Sequence, residues 1–340
     1  MPALWCSAPL LESLLVPLLA AIADFLIGDP WHWPHPVQAM GWGIQHYSRW
    51  ALATILSPWG QRWAGIVLAL GLPLFSGGVG AVAVAGIWHW NSAAGIAISS
   101  LLFASCLAGR SLRDAAESVL TPLNQGNLVE ARQKLRLYVG RDTETLSAPE
   151  VLRAVLETVS ENATDGVLAP LFYGLVGLAM NPAMGVGLAL AYKGLSTLDS
   201  MVGYRDAPHT HLGWASARLE DCATWLPCRL TVLTIALLSG RPRWVWSLCQ
   251  RDAPADPSPN AGWSECAYAA ALGVQLGGEN YYRGRVKVKP LLGNANRAIT
   301  ALVVVQALGL TRRACLLWLA VGLVGLTLRY GLHCGYFASL

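Results

Sequence analysis

Glu157-Thr-Val-Ser-Glu161-Asn-Ala-Thr-Asp165-Gly166 leads directly into an apolar run over residues 167–190. That run opens into Ala191-Tyr-Lys193-Gly-Leu-Ser-Thr-Leu-Asp199-Ser-Met-Val-Gly203-Tyr204. Read as helix, Arg153, Glu157, Glu161 and Asp165 stand four apart and share one face. Three stacked carboxylates repel one another unless a cation lies among them. Arg153 neutralises one, and a Mg²⁺ ion would satisfy the rest through oxygen ligands. The alternative is a solvated acidic helix face. The stripe, however, runs into a segment of membrane-grade hydrophobicity, where idle charge is expensive. Spacing and context together point to a site, with Glu157, Glu161 and Asp165 as candidate metal ligands.

The rest of the chain fits that setting. It has 340 residues, 54% hydrophobic and only 13% charged, against about 25% charged in ordinary soluble domains. Mean hydropathy is +0.43, and there are 15 Trp. An all-α, polytopic integral membrane protein is expected. The net charge of +4 comes without any basic cluster interleaved with aromatics, so a nucleic-acid partner is not expected. The eight cysteines include no CxxC pair and no Cys/His zinc spacing, so neither a disulfide framework nor a zinc site is indicated. The first 28 residues are apolar but carry no Lys or Arg before Glu12. They read as a retained membrane helix rather than a cleaved signal.

Taken in order, the chain reads as one membrane-embedded unit over 1–340. Spans are expected near 10–28, 63–90 and 92–109, with a broken apolar hairpin at 167–191, a short apolar piece at 229–239 and a C-terminal apolar pair at 298–330. Gly28-Asp29-Pro30-Trp31-His32-Trp33-Pro34-His35-Pro36, with three prolines and a glycine in nine residues, forbids helix and marks a rigid turn at the interface. Polar helical blocks fill 110–165, 192–228 and 240–297. Basic residues set the orientation. Arg110, Arg113, Arg132, Lys134, Arg136, Arg141 and Arg153 lie in the first block and eight more in the last, whereas the turn at 88–92 has none. The positive-inside rule places the N-terminus outside and the polar blocks in the cytoplasm. A single span at 167–190 would put the middle block on the wrong side. Asn181-Pro182 resolves this by splitting the segment into a re-entrant pair, a break that is allowed where backbone lines a protein cavity. Residues 230–238 reach only about 14 Å as helix and are too short to span.

Several motifs carry a family resemblance. Asp24-x-x-x-Gly28-Asp29-Pro30 with Pro34-His35-Pro36-Val37, Val139-Gly-Arg-Asp-Thr143, and Glu157-Thr-x-x-Glu161-Asn162 with Asp165-Gly166 resemble the CobD/CbiB family of cobalamin biosynthesis. So do Tyr192-Lys193 with Thr197-Leu-Asp199-Ser-Met-x-Gly203-Tyr204, Arg251-Asp252-Ala with Pro257-Ser-Pro-Asn260-Ala-Gly262, and Leu276-Gly-Gly with Asn280-Tyr281. The match runs from about residue 20 to 300 in the expected order. It implies an inner-membrane adenosylcobinamide-phosphate synthase with its active site facing the cytoplasm. Such an enzyme joins adenosylcobyric acid to (R)-1-aminopropan-2-ol or its O-phosphate using ATP. The corrinoid is then substrate, Mg²⁺ accompanies ATP, and other membrane enzymes of nucleotide-loop assembly are further partners. Where the family usually has His-Pro-Ser-Pro-Asn, this chain has Asp256-Pro-Ser258-Pro-Asn260, which excludes a catalytic His at 256. A weaker likeness to the AmpE proteins concerns the fold, and a transporter or membrane sensor is the alternative function.

Amide formation from a carboxylate requires activation, most simply as an acyl phosphate, with the nucleotide's charge neutralised by Mg²⁺ and by Lys or Arg. No Gly-x-x-x-x-Gly-Lys-Ser/Thr is present, so ATP is not held by a P-loop. The candidate catalytic residues are Glu157, Glu161, Lys193, Asp199 and Asn260, the last as an oxyanion donor. Asp29, His35, Arg110, Arg141, Arg218, Arg251, Asp252, Ser258 and Asn280 are candidates for binding substrate or nucleotide. Each has a plainer reading: Lys193 as a snorkelling anchor, Asp199 as a cap, Arg141 with Asp142 as a surface pair. A transporter would need its charges at mid-membrane with access from both sides, whereas these cluster beside the membrane.

Overall fold

The computed structural model describes residues 2–29, 35–204 and 206–333. Of the turn expected over 28–36, residues 30–34 lie outside the described residues; α1 stops at Leu26 before it and Pro36 opens α2 at its end. Seven helices and a π-turn occupy the first half: α1 (Pro2–Leu26), α2 (Pro36–Thr54), α3 (Pro58–Trp90), α4 (Ser92–Ala104), α5 (Gly109–Asn124), α6 (Leu128–Leu135) and α7 (Ala148–Asn162), with the π-helical turn at Ala163–Leu168. Then come α8 (Ala169–Leu178), α9 (Pro182–Val202), α10 (Trp214–Leu238), α11 (Pro242–Asp252) and α12 (Ala261–Leu272). An antiparallel hairpin of β1 (Gln275–Tyr282) and β2 (Arg285–Gly293) follows, and α13 (Ala301–His333) is the last element among the described residues. The protein is thus a predominantly helical, polytopic membrane protein. By length and composition, Pro58–Trp90, Ser92–Asn124, Trp214–Leu238 and Ala301–Tyr330 can each cross a bilayer.

The chain divides into two compact units, one of residues 1–108, 169–223 and 317–340, the other of 109–168 and 224–316. In the first unit, small residues let helix backbones approach closely, as membrane helices require. A Cβ on Gly77 of α3 would lie 2.7 Å from the Gly187 carbonyl oxygen of α9. Ser76 Oγ donates across the same contact to Leu190 O at 3.3 Å. Ile44, Ala69, Leu198, Val202 and Ala215 form the neighbouring buried core. The break at Asn181-Pro182 is where the sequence places it. Asn181 caps α9 by accepting from Met184 N at 2.9 Å, and Pro182 opens the helix. The ten residues of α8 reach about 15 Å, half of a ~30 Å hydrocarbon core. Gly177 permits the tight return to α9, since a Cβ there would meet Met184 O at 2.2 Å.

The second unit is built around α12, which is buried on nearly every side from Gly262 to Leu272. It packs on α7 and the π-turn through hydroxyls: Ser264 Oγ donates to Ser160 O at 2.6 Å and lies 2.8 Å from Thr164 Oγ1. Tyr268 meets Thr311 of α13 at 2.7 Å.

Three expectations about elements change. Residues 230–238 are the end of the 25-residue α10, which is long enough to span, because polar Arg218 to Asp221 continue the helix instead of ending it. The C-terminal apolar pair is one unbroken helix, α13, with Arg312 and Arg313 inside it; a charged pair on a helix surface does not interrupt the backbone. The block 240–297 contains the two-stranded hairpin. Its turn, Arg283-Gly284, has φ of +52° and +75°, the left-handed pair that a two-residue hairpin turn demands.

Candidate active site

The face predicted on α7 carries Arg153, Glu157 and Glu161, and Asp165 follows in the π-helical turn. Opposite this face lies the hairpin, with β1 entering beside Glu157. Gly277 N donates to Glu157 Oε1 at 3.0 Å, and Arg153 donates to the Gly277 carbonyl and to Glu279 O at 2.8 Å. Gly277 (φ +87°) and Gly278 (φ +92°) carry the register shift in the ladder. A Cβ on Gly277 would run into the Pro290 carbonyl, so only glycine lets β1 lie this close to β2 at the bulge.

Arg141 closes the other side. Its guanidinium donates to Asn280 Oδ1 at 2.6 Å and to Glu157 Oε2, with arginine, glutamate and asparagine all nearly excluded from solvent. The surface pair with Asp142 does not form. Asp142 instead accepts from Arg283 N at 3.0 Å and Gly284 N at 2.7 Å, clamping the hairpin turn. Both oxygens of Glu157 are therefore engaged.

Behind the hairpin, Lys289 Nζ donates to Glu265 Oε1 at 2.9 Å. Glu265 is wholly buried, and its Oε2 has no hydrogen-bond partner. Burial, together with the charges of Glu161 and Glu157, pushes its carboxyl up to about 8 against the opposing pull of Lys289. Glu161 is raised as well, first by desolvation and then by Asp256 and Glu157, with Lys289 and Arg141 opposing. Lys289 is raised above the usual ammonium value, because the attraction of Glu265, Glu161 and Glu157 outweighs its own burial.

The segment before α12 is also ordered by its own polar groups. Asp256 Oδ1 accepts from Ser258 N at 2.8 Å, and Ser258 Oγ accepts from Asn260 N and Ala261 N at 3.2 and 3.1 Å. Asn260 is buried at the N-cap of α12 without capping it through its side chain. Asp252 is held low by its bond to Arg251 and accepts from Gly293 N at 2.9 Å, while Arg251 reaches Asn294 Oδ1 at 2.8 Å. These contacts tie the start of α12 to the end of β2.

Of the residues singled out in sequence, Arg141, Glu157, Glu161 and Asn280 are brought together. Arg251, Asp252, Ser258 and Asn260 form the adjoining α11–α12 corner. Arg110 pairs with Asp114 at 2.9 Å on an exposed face of α5, an arrangement of little energetic weight. In the first unit, His35 lies 2.9 Å from Asp29 and caps α2 through Val37 N. Lys193 and Asp199 are half-buried on α9, and Arg218 is exposed on α10. Among the described residues no three His, Cys, Asp or Glu side chains are arranged to hold a metal ion. The metal trio read from the stripe is not assembled among the described residues, and both oxygens of Glu157 are taken by Arg141 and Gly277.

The sequence reading missed Glu265 and Lys289. A lone carboxylate inside the apolar stretch of α12 was one available signal, since such a charge is costly without a partner. The alternation Arg285-Val-Lys287-Val-Lys289 was the other, a period-two pattern that marks a strand.

Comparison with known proteins agrees with the motifs. The model of the CobD/Cbib protein family matches residues 17–311. A cobalamin biosynthesis protein CobD of Synechocystis is 48% identical over 317 residues, covering 91% of this chain and 92% of its own. The CobD of Geobacter metallireducens is 42% identical over 296 residues, covering 85% and 89%. The cobalamin biosynthesis protein CbiB of Salmonella typhimurium is 39% identical over 346 residues, covering 95% and 98%. No solved structure matches the chain. With its motifs in order and a family match across most of its length, this chain belongs to the CobD/CbiB family.

Proposed function

We propose that this protein serves cobalamin biosynthesis as a membrane-embedded acid–amine ligase, joining adenosylcobyric acid to (R)-1-aminopropan-2-ol or its O-phosphate at the expense of ATP. The observation that carries this reading is the concentration of charge in the second unit. Arg141, Arg153 and Lys289 are gathered with Glu157, Glu161 and Glu265 on rigid elements, in a chain whose relatives are named for cobalamin biosynthesis. A carboxylate becomes reactive by attacking the γ-phosphoryl group of ATP, giving an acyl phosphate and ADP. The amine then attacks the acyl carbon, a C–N bond forms, the C–O bond to phosphate breaks, and inorganic phosphate leaves. Such chemistry is mostly positioning and electrostatics. Mg²⁺ enters with the nucleotide, carried by its phosphates, and offsets their charge. Asn260, in the corner before α12, is the amide best suited to donate to the developing oxyanion. The basic blocks at 110–165 and 240–297 orient the site towards the cytoplasm, in the bacterial inner membrane.

The test is purified protein in detergent with adenosylcobyric acid, ATP and each amine in turn. ADP, phosphate and a cobinamide product formed together with one amine are the expected result. Absence of both ADP and product with either amine overturns the assignment. Single variants of Lys193 and Asp199 in the same assay test the roles expected of those residues.

A further inference from the structure

We infer that Glu265 and Glu161 form the subsite that takes the ammonium group of the amine substrate. The inference rests on the ligase reading and adds to it the place where the second substrate is bound. Two independent features lead there. The first is a deficit of positive charge. Glu161 lies within electrostatic reach of Asp256, Glu157, Lys289 and Arg141, and Glu265 within reach of Lys289, Glu161 and Glu157. Arg141 is committed to Glu157 and Asn280. Lys289 therefore answers both Glu265 and Glu161 with one ammonium. The second feature is the orphaned oxygen. Glu265 is fully buried, spends Oε1 on Lys289, and leaves Oε2 with no donor. A buried carboxyl oxygen without a partner costs free energy, and an ammonium ligand that displaces the carboxyl proton and donates its N–H groups recovers it.

The required ligand is cationic and carries more than one N–H. A primary ammonium meets both conditions and can donate to Glu265 Oε2 and to Glu161 at once. The carboxyl raised to about 8 by burial and like charges reports the same shortage of positive charge. Glu161 is half-buried, and Lys289 keeps 22% of its side chain exposed, so the cluster is reached from their side. Mg²⁺ is the rival cation. It asks for octahedral oxygen ligation, and the described residues supply no three-carboxylate group for it.

The experiment is calorimetric binding to the full-length protein in detergent, without ATP or corrinoid. The probes are 1-aminopropan-2-ol, its uncharged analogue propane-1,2-diol, and MgCl₂. The amine should bind and the diol should not. Glu265→Gln and Glu161→Gln should each weaken amine binding about tenfold or more, the size expected for losing a charge-assisted hydrogen bond. In the ligation assay both variants should raise the amine KM with little change in that of ATP. Thermal unfolding of each variant checks its fold, and if Glu265→Gln fails that check, Glu161→Gln decides. Amine binding unchanged in a folded variant overturns the assignment, as does equal binding of the diol. So does a variant that loses Mg²⁺ binding and keeps the amine. Because binding is read without turnover, these outcomes are separate from failure of the ligase reading, which shows as no ADP and no product.

Discussion

Arg141 is fixed from two directions: one nitrogen donates to Asn280 and another to Glu157, in a place nearly closed to water. Lysine would keep the charge and lose the fork, since an ammonium is a point donor on a flexible stem. Arg141→Lys should therefore lower stability by about 1–3 kcal/mol, the cost of an unmet buried hydrogen bond, and lower turnover with it. Thermal unfolding in detergent and the ligation assay read the two effects. Glu265 gives a pH dependence of definite sign. Its folded-state carboxyl is raised to about 8, so between the ordinary carboxylate range and that value the folded state holds a proton that the unfolded chain has released. Its contribution to stability is complete at the acid end of that window, falls as pH rises, and is gone above about 8. The unfolding temperature should fall from pH 5 to pH 8, and Glu265→Gln should flatten the slope. An unchanged slope in that variant would remove Glu265 as its source. Asp252, held low by Arg251, acts in the opposite sense and only at more acid pH.

At the scale of elements, the hairpin decides whether the site exists. Its turn puts Arg283 at φ +52°, a strained choice for a residue with a Cβ, and Asp142 holds it by accepting both turn N–H groups. Asp142→Ala should loosen the turn, and limited trypsin digestion should then cut faster after Arg283 and Arg285. An unaltered digestion pattern would mean the clamp is dispensable. Helices were legible in sequence because capping and breaking residues speak locally: in the first unit Asn181-Pro182 marked the return between α8 and α9, and in the second the spacing of Arg153, Glu157 and Glu161 marked the active face of α7. The hairpin was hidden because Gly277-Gly278 breaks its alternation with a bulge. The π-turn was hidden because nothing in Ala163-Thr-Asp165-Gly166 announces one. Glu265 and Lys289 were missed for a related reason. Their meaning comes from each other, 24 residues apart, and no local pattern records that pairing.

At the scale of the whole molecule, the distribution of Lys and Arg predicts that the blocks 110–165 and 240–297 share one face of the membrane. Single cysteines at 130 and 285 in a cysteine-free background should share one accessibility to a membrane-impermeant thiol reagent, and a cysteine at 91 should show the opposite. Position 285 labelling with 91 would contradict that topology. The middle block loses its expected place on that face, because α10, between positions 210 and 285, is long enough to span. The reach of the site along the chain has a consequence for synthesis. Glu157 waits for the N–H of Gly277, 120 residues later, and Arg141 waits for Asn280 across 139 residues. Long-range closures of this kind form late and slowly. When α7 leaves the ribosome, at roughly 5–20 residues per second, its charged face has no lid for several seconds or longer. A chain stalled before β1 therefore presents Glu157 and Arg141 without the backbone that seals them, and such a fragment is a natural target for quality-control proteases.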